Sequence, residues 1–196
     1  MNNPFHRIRQ FEDALCTYTG APYAIMTDCC THAIELCFRY WGTPFTAFPS
    51  HTYISIPQTM RKLGVEYAYV EHTWQGEYSF QWTNIWDSAR KLSNGMYRHG
   101  QMQCLSFGHG KPLAIGHGGA ILLDDAQAYH ALIRMRYDGR DVYNHQPWAD
   151  QVLFETGYHY RPTIEDAEQG LELLKTYEDL GPQAYEYPDL RKIIFK

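Results

Sequence analysis

Apolar side chains recur every three to four residues between 5 and 18, at Ile8, Phe11, Leu15 and Tyr18, which predicts an amphipathic helix stopped by Gly20. The pattern then changes. Tyr23-Ala24-Ile25-Met26-Thr27 is short and apolar and predicts a buried strand. A helix follows from about 31 to 40, with Ile34, Leu36, Cys37 and Phe38 turned inward. The same order repeats: a strand over 45–48 closed by Pro49, the loop Ser50-His51-Thr52-Tyr53, a helix to Leu63 and a strand over 65–70. This β-loop-α-β grammar belongs to parallel sheets with crossover helices. Residues 71–81 are polar and aromatic and are expected to be irregular, and 82–86 predict a strand that delivers Asp87 at its carboxyl end. Strands over 103–107 and 120–123 flank a glycine-rich stretch. Asp124-Asp125 caps a helix to about Tyr137, broken by Asp138-Gly139. A compact aromatic loop at 157–162 precedes a last helix, started at Thr163, carried through Ala167, Leu171, Leu174 and Tyr177, and ended by Gly181-Pro182.

The fold these elements predict is α/β: a three-layer α/β/α sandwich whose sheet is mostly parallel with one antiparallel strand. Residues 1–141 are expected to form the main α/β domain, and 142–196 a reduced C-terminal helical segment packed on it. With 196 residues the chain has enough length for a real core. A net charge of −5 gives no electrostatic case for nucleic acid. No apolar run reaches membrane-spanning length, and the opening Met1-Asn2-Asn3-Pro4 does not read as a signal peptide, so no membrane partner and a reduced, cytoplasmic compartment are expected. Five cysteines have no framework spacing. Cys29, Cys30 and His32 hint at zinc, but neighbouring side chains diverge and no second Cys/His cluster completes four ligands, so no metal is expected.

The candidate chemistry starts at Ser106-Phe107-Gly108-His109-Gly110-Lys111, which runs into Gly116-His117-Gly118-Gly119. A lysine in a tight glycine loop between two buried strands loses hydration, its pKa falls, and its amine can attack a carbonyl. A phosphate-binding P-loop is excluded by the glycine spacing and by Pro112, which stands where a hydroxyl residue is required. The helix start near Cys30-Thr31 follows a strand directly and is suited to bind an anion, phosphate especially. Asp87 stands at the strand edge where ligands sit in open α/β sheets. An aldehyde cofactor with a phosphate tail and a ring nitrogen needs these three functions together, and pyridoxal phosphate (PLP) is that cofactor.

The motifs also resemble a known family, the PLP-dependent sugar aminotransferases of the DegT/DnrJ/StrS type, in a shortened form. Cys29-Cys30-Thr31-His32-Ala33 is similar to the family's Ser-Gly-Thr-x-Ala turn. Trp86-Asp87-Ser88-Ala89-Arg90 resembles Glu-Asp-Ala-Ala-Gln/His, and the Ser106-to-Lys111 loop with Gly116-His117-Gly118-Gly119 resembles Ser-Phe-His-x-x-Lys with Gly-Glu-Gly-Gly. The resemblance implies the aspartate-aminotransferase-like large domain, with a reduced sheet and a truncated C-terminal lobe. It implies an amino transfer from an amino acid, glutamate first, to a keto compound such as a nucleotide-linked keto-sugar. Lys111 would carry the cofactor and Asp87 would hold its ring nitrogen. Tyr53 would stack on the ring, Cys30, Thr31 and Ser106 would hold the phosphate, and Arg90 would lie at the ring hydroxyl. His159 would reach the phosphate of a neighbouring subunit in a homodimer with shared active sites. The departures are Cys30 for glycine, Arg90 for a neutral side chain, His117 for glutamate, and a 70–85 interval too short for a strand-helix unit. A non-catalytic relative acting as a binding or partner subunit stays open beside the enzyme. Sugar dehydration is disfavoured, since relatives with that activity replace the lysine by histidine.

Overall fold

The spacing of Ile8, Phe11 and Leu15 puts them on one buried face of α1 (His6–Thr19), and Gly20, at φ 78°, ends the helix in a left-handed cap. The computed structural model describes residues 3, 5–144, 146–152 and 155–195. After α1 come β1 (Tyr23–Thr27), α2 (Cys30–Trp41), β2 (Phe45–Pro49), α3 (Ser55–Leu63) and β3 (Glu66–Val70). Then follow β4 (Tyr78–Ser79), β5 (Ile85–Asp87), β6 (Met102–Ser106), β7 (Gly119–Leu123), α4 (Ala126–Arg136) and α5 (Ile164–Lys175).

The architecture is α/β with helices on both sheet faces. Along β1, β6 and β7 the side chains alternate between two cores. Ile25, Cys104 and Ile121 join Ile34 and Phe38 of α2 and Leu132 of α4. Ala24, Met26, Leu105, Ala120 and Leu122 join Phe11 and Leu15 of α1 and Ala167 of α5. Burial on both faces is why these strands read as near-continuous apolar runs. The faces are tied together by a buried pair. Arg136 Nη1 donates to Glu12 Oε1 at 2.5 Å and to the Met26 carbonyl at 2.6 Å, with both side chains 1% exposed. Tyr143 donates to Glu12 Oε2 at 2.8 Å and the Met26 N–H to Oε1 at 2.8 Å, so the carboxylate is satisfied on both oxygens.

The sheet departs from the expected strand directions. Its order is β1-β7-β6-β5-β4, with β2 and β3 forming a separate parallel pair. Only β5 and β6 pair in parallel within it, whereas β1/β7, β6/β7 and β4/β5 are antiparallel. Two strands, β7 and β4, therefore run against the others, where the sequence led us to expect one. The reason for β4 is local: residues 80–84 turn the chain back on itself, and a tight reversal forces antiparallel pairing. Trp82 sits in that turn at φ 61°, 68% exposed, so the strand expected over 82–86 is shortened to Ile85–Asp87. Within the stretch expected to be irregular, Tyr78–Ser79 forms the two-residue strand β4 in place of the strand-helix unit for which there is no room. The β2–β3 pair hangs on the end of this hairpin: Gln81 N–H donates to the Ala47 carbonyl at 2.9 Å, and Thr46 Oγ1 donates to the Gln81 carbonyl at 3.1 Å.

The last helix also ends earlier than expected, at Lys175 rather than at Gly181-Pro182. Tyr177 is drawn sideways, its hydroxyl donating to the Leu92 carbonyl at 2.9 Å and its ring meeting Tyr18 edge-on. Beyond it the chain runs back as a strap. Gly76 N–H donates to the Gln183 carbonyl at 3.1 Å, Gln183 N–H to the Arg90 carbonyl at 2.9 Å, and Leu190 N–H to the Ser50 carbonyl at 2.9 Å. Among the described residues no helix is long and apolar enough to cross a membrane.

Candidate active site

Strands β1, β6 and β5 run in one direction, so their carboxyl ends open on one edge. β1 leads into α2, β5 ends at Asp87, and β6 leads through a glycine loop to Lys111. The N-terminal ends of α2 and α3 and the strap residues Tyr185 to Pro188 close the space to a cavity of about 650 Å³. Seven of the eight residues singled out in the sequence line it: Lys111, Asp87, Tyr53, Cys30, Thr31, Arg90 and Ser106. The eighth, His159, does not. It faces outward with its side chain 65% exposed, Nδ1 3.0 Å from Asp138 Oδ2, and Nε2 accepting from Arg161 Nε at 3.1 Å. A slightly larger depression of about 710 Å³ beside the C-terminal end of α2 contains neither a lysine nor an aspartate.

Lys111 owes its position to the loop. Gly110, at φ 69°, lets the chain reverse, and the Lys111 N–H donates to the Gly108 carbonyl at 3.2 Å. Burial lowers the ammonium pKa and nearby Arg90 lowers it further, against the raising influence of Cys30, Asp87 and Tyr53. The amine makes no hydrogen bond among the described residues. Asp87 is buried, which raises its pKa, and it is held by hydrogen bonds that oppose the rise. Ala89 N–H donates to Oδ1 at 3.0 Å, and Tyr78 donates to Oδ2 at 2.9 Å. Tyr78 in turn meets Thr52 Oγ1 at 2.8 Å. Sequence reading missed Tyr78, because nothing in the polar-aromatic 71–81 stretch distinguishes it from its neighbours. The hairpin alone brings it to Asp87.

α2 starts in the cavity wall with the extended residue Cys29 as its N-cap, and the Cys29 thiol accepts from the His32 N–H at 3.4 Å. Thr31 Oγ1 donates to Ser55 Oγ at 2.9 Å, so the starts of α2 and α3 meet. The seat of α2 depends on Gly119: a Cβ there would lie 2.4 Å from the Cys30 nitrogen. Cys30 packs inward with its Sγ 3.7 Å from the Cys104 carbonyl, and burial pushes its thiol up.

Behind this wall the donor atoms of Asp28, Cys29 and His32 lie within 4.8 Å of one another. His32 stacks on Tyr160 with ring centroids 3.7 Å apart, and its Nδ1 is 2.8 Å from Asp28 Oδ1. Burial alone would lower its pKa, but the hydrogen bond to Asp28 and the adjacent Cys29 lift it to about 9. The folded value lies above the ordinary 6.5, so this imidazolium contributes stability below pH 6.5 that is lost as pH rises through about 9. The expected result is an NMR titration of His32 near 9, returning toward the ordinary value in Asp28→Asn. That variant should also lose the decline in melting temperature between these limits.

Comparison with known proteins bears on this site. The family model described as the DegT/DnrJ/EryC1/StrS aminotransferase family matches residues 2–76 and 94–182. This chain belongs to that family. No curated protein sequence matches it. Among solved structures, 3-amino-5-hydroxybenzoic acid synthase superposes with a TM-score of 0.71 at 19% identity, over 87% of this chain and 56% of that one. The Helicobacter pylori aminotransferase PseC, involved in the biosynthesis of pseudoaminic acid, gives 0.73 at 14% identity, over 87% and 58%. GDP-4-keto-6-deoxymannose-3-dehydratase gives 0.68 at 15%, over 88% and 61%. The chain thus spans little more than half the length of these structures. The unmatched intervals are informative: 77–93 contains β4, β5, Asp87 and Arg90, and the strap lies beyond 182.

The family's enzymes depend on pyridoxal phosphate, and the cavity fits that group. It offers an amine free of hydrogen bonds, a buried carboxylate with no ion-pair partner among the described residues, and a helix N-terminus for an anion.

Proposed function

We propose that this protein is a PLP-dependent aminotransferase that moves an amino group from an amino acid, glutamate first, to a nucleotide-linked keto-sugar. The observation that carries this reading is the meeting of Lys111, Asp87 and the N-terminus of α2 in one cavity at the carboxyl edge of the sheet. When bound, pyridoxal phosphate supplies an aldehyde for covalent attachment and a ring that takes up the electron pair released at the substrate carbon. Lys111, whose pKa burial lowers, would provide the amine for that attachment and then carry the proton to and from the substrate carbon. Asp87 would hold a proton on the ring nitrogen. Cys30, Thr31 and Ser106 would hold the phosphate, Tyr53 would cover the ring, and Arg90 would lie at the ring hydroxyl. The keto-sugar acceptor is proposed from the company the chain keeps, an enzyme of pseudoaminic acid biosynthesis and a GDP-sugar enzyme. Residues 1–141 form the cofactor-binding unit in this reading, and 142–196 the reduced segment packed on it.

The same reading includes a homodimer with sites at the subunit interface, in which His159 would turn away from Asp138 and Arg161 to donate to the partner's phosphate. Support comes from its exposure on an outward-facing loop. Sedimentation at twice the chain mass is the expected result, and an active monomer would overturn the shared site. A second reading, a non-catalytic relative that binds cofactor or a partner, draws support from the chain spanning 56–61% of the compared structures. One spectroscopic experiment separates the two. Addition of PLP should produce a Schiff-base absorbance, which glutamate should then discharge in the enzyme and leave untouched in a binding protein.

A further inference from the structure

Five charged residues are buried among the described residues: Glu12, Glu35, Asp87, Arg90 and Arg136. Glu12 pairs with Arg136, and Glu35 with Arg39 and Lys62. Asp87 and Arg90 have no ion-pair partner among the described residues, and both line the cavity. A buried charge without a counter-charge is costly unless a ligand supplies one. Asp87 calls for a cation and is accounted for above. Arg90, 9% exposed, calls for an anion.

The surroundings of Arg90 define which anion. Its Nη1 donates to the Gly110 carbonyl at 3.2 Å, the residue before Lys111, so the guanidinium is held beside the amine-bearing loop. Nε is 3.4 Å from the Tyr187 hydroxyl, and the Tyr185 ring lies over the guanidinium with its centroid 4.1 Å from Cζ. Tyr187 is fixed in turn by stacking on Trp74 with centroids 5.7 Å apart. No protein group engages Nη2 among the described residues. A planar fork stacked on an aromatic ring with an open edge matches a carboxylate, which takes two parallel N–H bonds. Arg90 and the strap both lie outside the intervals that match the family model, and they are built against each other.

We propose that Arg90, oriented by Tyr185 and Tyr187 of the strap, binds the carboxylate of the amino donor next to its reacting carbon, and so selects amino acids with a free α-carboxylate. This deepens the aminotransferase reading and rests on it. The test is calorimetric titration with succinate, an unreactive dicarboxylate, and with its neutral diamide, succinamide, on the protein with and without PLP. Succinate should bind the loaded protein at least about tenfold more tightly than succinamide, the range of a hydrogen bond to a charged group. Arg90→Gln should lose succinate by about tenfold to a hundredfold, and Arg90→Lys by less. Succinamide should be unaffected, and PLP affinity, to which Arg90 contributes at the ring hydroxyl, should fall by less than succinate affinity does. Equal binding of succinate by wild type and Arg90→Gln overturns the proposal. So does a loss of PLP as large as the loss of succinate, which would assign Arg90 to the cofactor alone. Succinate bound only without PLP overturns it too, since the anion then occupies the phosphate end. A chain that takes up no PLP defeats the function proposed above, and the titration of the bare protein, wild type against Arg90→Gln, still decides for or against an anion site at Arg90.

Discussion

Lys111→Ala is expected to end covalent attachment of pyridoxal phosphate and to lower transamination by at least about 10⁴-fold, because no other amine can take over at that position. The fold should survive. The Lys111 amine makes no hydrogen bond among the described residues, and its loop is shaped by backbone contacts, Gly116 N–H to the Phe107 carbonyl at 2.8 Å and Phe107 N–H to the Gly118 carbonyl at 3.0 Å. Burial already opposes its charge, so removal of the ammonium should move stability by no more than about 1 kcal/mol. Lys111→Arg is the informative companion, since it keeps a cation and lacks a nucleophilic amine. Borohydride reduction of the loaded wild type, followed by peptide mapping, should place the label on the peptide containing Lys111. Label on Lys62 or Lys91, each already paired with a glutamate, would refute the assignment.

Asp87→Asn should retain the cofactor and slow the half-reaction with glutamate by about 10²–10⁴-fold, the range for loss of a positioned proton-holding group. The substitution is close to isosteric here. An asparagine oxygen can still accept from Ala89 N–H, and its amide can donate to Tyr78, whose hydroxyl can turn toward Thr52. The geometry is kept while the negative charge proposed to hold a proton on the ring nitrogen is lost. Tyr78→Phe removes one hydrogen bond from Asp87 and should slow the same step by roughly tenfold. A half-reaction rate in Asp87→Asn near that of wild type would remove Asp87 from the mechanism.

The elements that the sequence made legible are those governed by local rules. The helical period of Ile8, Phe11 and Leu15, the left-handed Gly20 and the Asp125 cap each act within a few residues. So does the lysine loop, whose glycines state a backbone requirement that no other residue meets as cheaply. Asp87 and the start of α2 were readable for the same reason: each is a strand end followed at once by a polar turn or a helix.

What the sequence concealed depends on residues far apart in the chain. The direction of β4 follows from the turn at 80–84, and its pairing with β5 carries Tyr78 to Asp87. The strap returns over the cavity because Gln183 and Leu190 find backbone partners at Gly76, Arg90 and Ser50, more than ninety residues earlier. Neither contact leaves a periodicity or a spacing to be read. The sequence by itself determined that a lysine in a glycine loop, an acid at a strand end and the start of a helix belong to one α/β sheet edge, because each is written in a local motif. Only the tertiary structure decided that Arg90 lies there without a counter-charge under Tyr185, because pairing and burial are properties of the packed chain and not of any segment of it.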